Sequence, residues 1–141
     1  MLLKRGANAN ASDETGKSAM VYAAARGFDD IVSRLIEAGV DPRARYGNDL
    51  TALMWAAGHE DGVGSAAVAR VTDLLLAHGA DLNAADNRGR TALMIAASLG
   101  DAATVELLLQ RGANRGLKDK DEKTALDLAA NAEVRGKLAE K

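Results

Sequence analysis

The chain has no cysteine, a single proline and few aromatic residues: one Trp, two Tyr and one Phe in 141 residues. Without cysteine it can form no disulfide, no thiolate metal site and no cysteine nucleophile. The scarcity of aromatic residues beside abundant Ala and Leu favours closely packed helices over a β-sandwich. Hydrophobic residues nevertheless make up 48% of the chain, which is enough to build a core.

Neither sign of charge dominates the sequence, and it contains no long apolar run. Eighteen Lys and Arg stand against 20 Asp and Glu, a net charge of −2, so no general field favours nucleic acid or an anionic membrane as a partner. No apolar segment approaches the roughly 18 residues of a membrane helix. The first residues do not form a secretion signal, and with the lack of cysteine this predicts a cytoplasmic protein. A signal removed upstream of Met1 would leave the same sequence.

One seven-residue phrase occurs four times along the chain. It has the form Ser/Thr-Ala-Met/Leu-x-x-Ala-Ala and begins at Ser18, Thr51, Thr91 and Thr124. These starting points lie 33, 40 and 33 residues apart. A period in this range indicates an array of repeats, each of which buries its apolar face against its neighbours.

Each repeat is predicted to form two helices. The Ser or Thr that opens the phrase is a helix N-cap candidate, because its hydroxyl can accept an unpaired backbone N–H. The second helix ends at Gly39, Gly79 or Gly112, where a left-handed residue commonly terminates a helix. Gly27 and Gly100 permit the reversal between the two helices. Polar segments, called fingers below, connect the repeats at 11–17, 44–50, 84–90 and 117–123.

The pattern resembles the ankyrin repeat family, which has a period of 33 residues and a T-P-L-H-x-A signature. Further matches are Gly-Ala-Asn/Asp at 6–8, 79–81 and 112–114, and an aspartate five residues before a cap at Asp13, Asp86 and Asp119. The resemblance implies an all-α solenoid of stacked antiparallel helix pairs with hairpin-like fingers, right-handed and slightly curved.

Two positions depart from the family signature. Alanine follows every cap residue where the family has proline. Where the family has histidine, this chain has Val21, Met54, Met94 and Asp127. We therefore expect apolar contacts to replace the histidine hydrogen bonds at the first three of these positions.

The repeats predict one domain over residues 1–141. Its predicted parts are a partial repeat at 1–11, full repeats at 12–44, 45–84 and 85–117, and a C-terminal capping repeat at 118–141.

The middle repeat is seven residues longer than its neighbours, and the extra residues fall within 58–70, between its two helices. Loop insertions cost little free energy, so a tolerated elongation is the simpler interpretation. The alternative is a protrusion that contacts a partner. Ser65 is a candidate N-cap for an early start of the second helix. His59, Glu60 and Asp61 form a ligand-like cluster, and a metal-dependent activity there is the less favoured hypothesis for function.

The family resemblance implies a non-catalytic module, without cofactor or metal, that binds another protein through the concave surface of its fingers and first helices. A structural or regulatory segment of a larger protein is the alternative. A monomer is expected, with self-association through the open N-terminal edge as a further option. Positions that vary between repeats are the candidate contact residues: Glu14, Thr15, Lys17, Arg26, Tyr46, Asn48, Leu50, Trp55, His59, Asn87, Arg88, Arg90, Leu99, Lys120, Asp121 and Lys123.

Overall fold

Helices in consecutive pairs form the architecture of the chain. The computed structural model describes residues 19–139. Their helices are α1 (Ala19–Arg26), α2 (Asp29–Glu37), α3 (Ala52–Ala57), α4 (Ser65–Ala77), α5 (Ala92–Leu99), α6 (Ala102–Gln110), α7 (Ala125–Leu128) and α8 (Ala132–Ala139). A short 3₁₀ turn, Gly47–Asp49, lies in the finger between α2 and α3.

Each helix packs against its partner in the pair and against the equivalent helix of the next pair. The first helices α1, α3, α5 and α7 contact one another in sequence, and so do the second helices α2, α4, α6 and α8. The predicted all-α solenoid of helix pairs is therefore confirmed. Among residues 19–139, no helix is both long and apolar enough to span a membrane.

The first helices begin at the predicted caps. The hydroxyls of Thr51, Thr91 and Thr124 each accept the backbone N–H three residues further on, at 3.3 Å. In the last repeat the Asp127 carboxylate also accepts the N–H of Thr124 at 3.0 Å, which completes a capping box. The prediction of a cap at Ser18 falls outside the described residues.

The second helices end at the predicted glycines. Gly39, Gly79 and Gly112 have φ values of 103°, 95° and 94°. At Gly79 the chain reverses so that the next N–H, from Ala80, reaches the Leu75 carbonyl at 3.0 Å, and the same bond recurs in the other two repeats. This arrangement satisfies carbonyls at the helix end that would otherwise lack a partner.

The core lies between the two layers of helices. Leu75 on α4 and Leu108 on α6 are fully buried, and the alanines of α3 and α5 allow the first helices to approach closely. Val21, Met54 and Met94 are also buried, so apolar packing does occupy these three of the four positions where the family has histidine.

The insertion is divided between a turn and a helix. The turn covers residues 58–64, and α4 has 13 residues whereas α2 and α6 have nine. The prediction that Ser65 is the N-cap is wrong: Gly64 occupies the cap position and Ser65 is the first helical residue. The early start of this helix, by contrast, is as predicted.

Candidate protein-binding surface

The first helices expose one equivalent position in each repeat. In α3 and α5 the residues on either side of it are buried, because the Thr cap, the next three residues and the Ala-Ala pair all face neighbouring helices, whereas in α7 Leu126, Asp127 and Ala130 are exposed as well. The exposed position is occupied by Tyr22, Trp55, Ile95 and Leu128, and these four residues are called the apolar row. Tyr22 is 39% exposed and the other three are half-buried.

A second line of residues lies four positions after the apolar row. It consists of Arg26 on α1, His59 in the turn after α3 and Leu99 on α5, and Leu99 is 60% exposed. The guanidinium of Arg26 lies 5.6 Å from the centre of the Tyr22 ring, which places it over an aromatic face. In each of the first three described repeats, the two lines together form one strip.

Successive strips touch one another at Gly58. A Cβ atom added to this glycine would lie 3.1 Å from Cγ2 of Ile95 and 3.8 Å from Cδ1 of Leu99. The lack of a side chain at Gly58 thus lets the next helix place both aliphatic groups beside α3. The strips of α3 and α5 consequently form a shared apolar surface.

The fingers at 84–90 and 117–123 are each organised by a buried aspartate. Oδ1 of Asp86 accepts the N–H groups of Arg88 and Arg90 at 2.8 and 3.0 Å. Asp119 does the same for the N–H groups of Asp121 and Lys123, at 2.8 and 3.0 Å. The repeated aspartate of the sequence pattern therefore shapes the finger.

These carboxylates are kept ionised by their donors. Burial alone would raise the pKa of Asp86, but hydrogen bonds from the Arg88 guanidinium and from two backbone N–H groups lower it. The pKa of Asp119 is lowered chiefly by the backbone N–H of Lys123, with a further contribution from Arg90. Both carboxylates face inward and the neighbouring cations face outward: the Arg88 side chain is 53% exposed and that of Asp86 is fully covered.

The finger at 44–50 is built differently, because Tyr46 occupies the position of the aspartate. The ladder bond from the Tyr46 N–H to the Leu50 carbonyl remains, at 2.9 Å. The turn between them places Asn48 and Asp49 at φ values of 61° and 62°. Tyr46 packs against the core, so it is less available to a partner than the sequence suggests.

The finger tips are joined into one edge. The N–H of Asn87 donates to the Asn48 carbonyl and that of Lys120 to the Arg88 carbonyl, both at 3.0 Å. Arg45 reaches across to the Ala85 carbonyl at 2.7 Å. This edge and the strips of the first helices are together called the inner face.

The predicted contact residues fall into three groups. Eight are exposed: Arg26, Asn48, Asn87, Arg88, Leu99, Lys120, Asp121 and Lys123. Five are half-buried: Tyr46, Leu50, Trp55, His59 and Arg90. Glu14, Thr15 and Lys17 lie outside the described residues. Arg45 and the row members Tyr22, Ile95 and Leu128 were not among the predicted contact residues, although the repeat makes these three equivalent to Trp55.

The inserted turn folds back on the array instead of projecting from it. The N–H of Glu60 donates to the Ala25 carbonyl at 2.9 Å, and the Glu60 carboxylate accepts Nε of Arg26 at 2.8 Å. On the other side, Nε2 of His59 lies 2.6 Å from Oδ2 of Asp101. One turn thereby connects the repeat before it with the repeat after it.

His59 is held between two acceptors. Its Nδ1 lies 3.0 Å from the Glu60 carbonyl, and its Nε2 faces Asp101, so only the protonated ring can donate to both. Burial on its own would lower the pKa of His59, but these two hydrogen bonds and the charges of Asp101 and Asp61 raise it. The Asp101 carboxylate also accepts a hydrogen bond from the Thr104 hydroxyl at 2.6 Å, and the pKa of Asp101 is lowered although burial alone would raise it.

The geometry of this turn does not favour the metal hypothesis. The ring of His59 is turned toward Asp101 and the Glu60 carboxylate toward Arg26. Within residues 19–139, no group of three or more His, Cys, Asp or Glu side chains is placed to hold a metal ion. A shallow groove of about 300 Å³ between α4 and α6 is lined by alanines and Leu107 and by four polar residues, and it contains no histidine; the polar residues are Ser65, Thr104, Glu106 and Gln110.

Comparison with known proteins agrees with the repeat pattern. A family model described as ankyrin repeats, in three copies, matches residues 1–70 and 64–139. Ankyrin repeat domain-containing protein 63 is 34% identical in Mus musculus and 33% in Homo sapiens, each over 105 residues and 74% of this chain.

Those matches span only 26% and 27% of the two relatives. Cyclin-dependent kinase 4 inhibitor B of Bos taurus is 44% identical over 73 residues, which is 50% of this chain and 48% of that protein. The family model covers most of the sequence, and the chain belongs to the ankyrin repeat family.

Proposed function

We propose that the chain is a non-catalytic module that binds another protein through its inner face. The observation that carries this proposal is the continuity of that face: exposed Leu99 and half-buried Trp55 lie on a strip beside a joined edge of polar finger tips. Interfaces of this composition combine apolar anchors with a polar rim.

The comparisons support the same mode of action. Ankyrin repeats generally serve as protein-interaction modules, and one relative is named as the inhibitor of a protein kinase, a protein that acts on another protein. Repeat arrays are also suited to this task, because stacking produces an extended surface instead of a closed cleft.

The test compares two exposed aliphatic residues on opposite layers. The tagged chain is used to isolate a binding protein from lysate, and the affinity of the purified pair is then measured by calorimetry. Leu99→Ala on the inner face is expected to weaken binding at least tenfold. Ile31→Ala on α2, which is 40% exposed, is the matched control and should leave affinity unchanged. Equal affinities for both variants, or a loss with Ile31→Ala alone, would place the interface elsewhere.

The second candidate is a structural or regulatory segment of a longer protein. It is favoured by the finding that the chain spans about a quarter of the length of its first two relatives. In that case the inner face would hold another segment of the same polypeptide. Cross-linking of the natural protein followed by mass spectrometry distinguishes the two, since contacts of the inner face would then be intramolecular.

A further inference from the structure

We propose that the inner face selects an acidic protein segment that carries apolar anchor residues. The inference rests on the proposed function and adds the chemistry of the partner. It is carried by three features of the described residues: the outward cations of the finger edge, the pairing of the cations on the second helices, and the apolar row.

The finger edge presents more positive than negative side chains to solvent. Residues 42–50 contain two arginines and one aspartate, and residues 83–90 likewise. In the second of these fingers the aspartate is Asp86, whose side chain is covered while Arg88 is exposed. Asp119 is covered in the same way in the next finger, where exposed Lys118, Lys120 and Lys123 lie beside exposed Asp121 and Glu122. Exposed cations therefore outnumber exposed carboxylates along the finger edge.

Two of these cations have N–H donors that are not paired with a carboxylate. Arg45 donates to the carbonyls of Asp49 and Ala85, which carry no formal charge. Lys120 is exposed and forms no salt bridge with another residue in the described range. A carboxylate that reached them would gain charge-assisted hydrogen bonds without displacing an existing ion pair.

The second helices differ because their cations are already paired across repeats. Arg70 of α4 lies 3.4 Å from Asp29 of α2, and Arg111, which follows α6, lies 2.6 Å from Asp73 of α4. The second helix of the first described repeat also begins with two adjacent carboxylates, Asp29 and Asp30. An acidic segment is therefore attracted to the finger edge and repelled by this outer layer.

The apolar row defines where the anchor residues would lie. Packed helices are about 8–10 Å apart, so equivalent members of neighbouring repeats are separated by about that distance. A segment in the polyproline II conformation advances about 3.1 Å per residue with three residues per turn, so every third side chain faces the same way and three residues cover one repeat. A segment with an apolar residue at every third position can thus contact Tyr22, Trp55 and Ile95 in succession while its acidic residues reach the fingers.

Three synthetic peptides test the proposal: four repeats of Leu-Glu-Glu, four of Leu-Lys-Lys and four of Ser-Glu-Glu. Trp55 is the sole tryptophan of the chain and belongs to the apolar row, so its fluorescence reports binding. In about 10 mM salt, where screening extends over roughly 30 Å, the Leu-Glu-Glu peptide should bind at least tenfold more tightly than either control peptide. Its affinity should fall as salt is raised to about 150 mM.

Variants locate the interaction. Lys120→Glu should weaken binding of the Leu-Glu-Glu peptide at least threefold, whereas Arg135→Glu on α8, which changes the net charge equally, should not. Preference for the Leu-Lys-Lys peptide, absence of binding, or equal effects of the two variants would overturn the proposal. Loss of a captured protein with Leu99→Ala, combined with any of those results, would leave the proposed function standing and remove only the acidic partner.

Discussion

At the scale of single residues, His59 and Asp101 make the stability of the array depend on pH. The folded chain raises the pKa of His59, so its contribution is complete below its ordinary value of about 6.5 and is lost as pH rises through the raised value. The pKa of Asp101 is lowered, so its contribution is present above about 4 and is lost in more acidic solution. The pair therefore stabilises most between about pH 4 and pH 6.5.

We expect His59→Gln to lower the free energy of unfolding by about 1 kcal/mol at pH 5.5, because a charged hydrogen bond is lost. The loss should be smaller at pH 8.5, because the stabilisation by protonated His59 declines as pH rises through its raised pKa. Urea unfolding followed by circular dichroism measures both values. In an Asp101→Asn background the pH dependence of this substitution should become smaller, because only the Glu60 carbonyl and the charge of Asp61 then raise the pKa of His59. A cost that is the same at both pH values in the original chain would contradict the pairing.

The tips of the fingers at 84–90 and 117–123 place different residues in the same backbone conformation. Gly89 has a φ of 77°, and its equivalent one repeat later, Glu122, has a φ of 63°. A side chain in the left-handed region costs about 1–2 kcal/mol, part of which glycine recovers. At Gly89 a Cβ atom would also lie 2.9 Å from the backbone nitrogen of Lys120.

We therefore expect Glu122→Gly to raise the free energy of unfolding by about 0.5–1 kcal/mol. Gly89→Ala should lower it by about 1–3 kcal/mol, since strain and a backbone contact combine. Urea unfolding at pH 7 checks both variants. The salt bridge of Glu122 with Lys118, at 3.9 Å and exposed, is too weak to reverse the first result. A destabilised Glu122→Gly would show that the left-handed turn carries no strain.

At the scale of the helices, the second helix of each repeat contributes through its buried face. Leu108 of α6 is fully buried in the core, whereas Ile31 of α2 is 40% exposed. Leu108→Ala should lower the free energy of unfolding by about 2–5 kcal/mol, because the core cannot fully close the space left by the side chain. Ile31→Ala should change it by less than about 0.5 kcal/mol. Thermal and urea unfolding compare them, and similar costs would contradict the assigned faces.

Most helix boundaries could be predicted from the sequence because they depend on local chemistry that recurs in every repeat. The caps at Thr51, Thr91 and Thr124 and the terminal glycines satisfy backbone groups within a few residues of themselves. Gly64 escaped prediction because glycine caps a helix through its backbone and gives no side-chain signal.

The contacts between repeats were harder to predict because they join residues that share no periodic pattern. His59 and Asp101 are 42 residues apart, and the insertion that brings them together occurs once. Arg45 and the Ala85 carbonyl are likewise 40 residues apart, and a backbone acceptor leaves no trace in the sequence. The repeat spacing does predict the apolar row, since its members occupy one position of the phrase.

At the scale of the whole molecule, stability should be transmitted only between neighbours. The last pair, α7 and α8, contacts α5 and α6 but packs on no later helix within the described residues. Val134→Ala, at a fully buried position of α8, is therefore expected to speed amide hydrogen exchange in α7 and α8 most. Exchange in α3 and α4 should change little. Uniform acceleration across all helices would indicate a single cooperative unit.

The finger at 44–50 lacks the buried carboxylate of the two fingers that follow it, so the finger edge is not uniform along the array. Its two successors each have an internal brace, the carboxylate of Asp86 or Asp119, which fixes the course of the loop before anything is bound. Tyr46 provides no such carboxylate, and Arg45 instead donates to the Asp49 carbonyl of its own finger and to the Ala85 carbonyl of the next one. A partner segment would therefore contact two fingers whose loops are fixed by a buried carboxylate and one whose loop lacks it. We expect tolerance for different partner sequences to be greatest near Arg45.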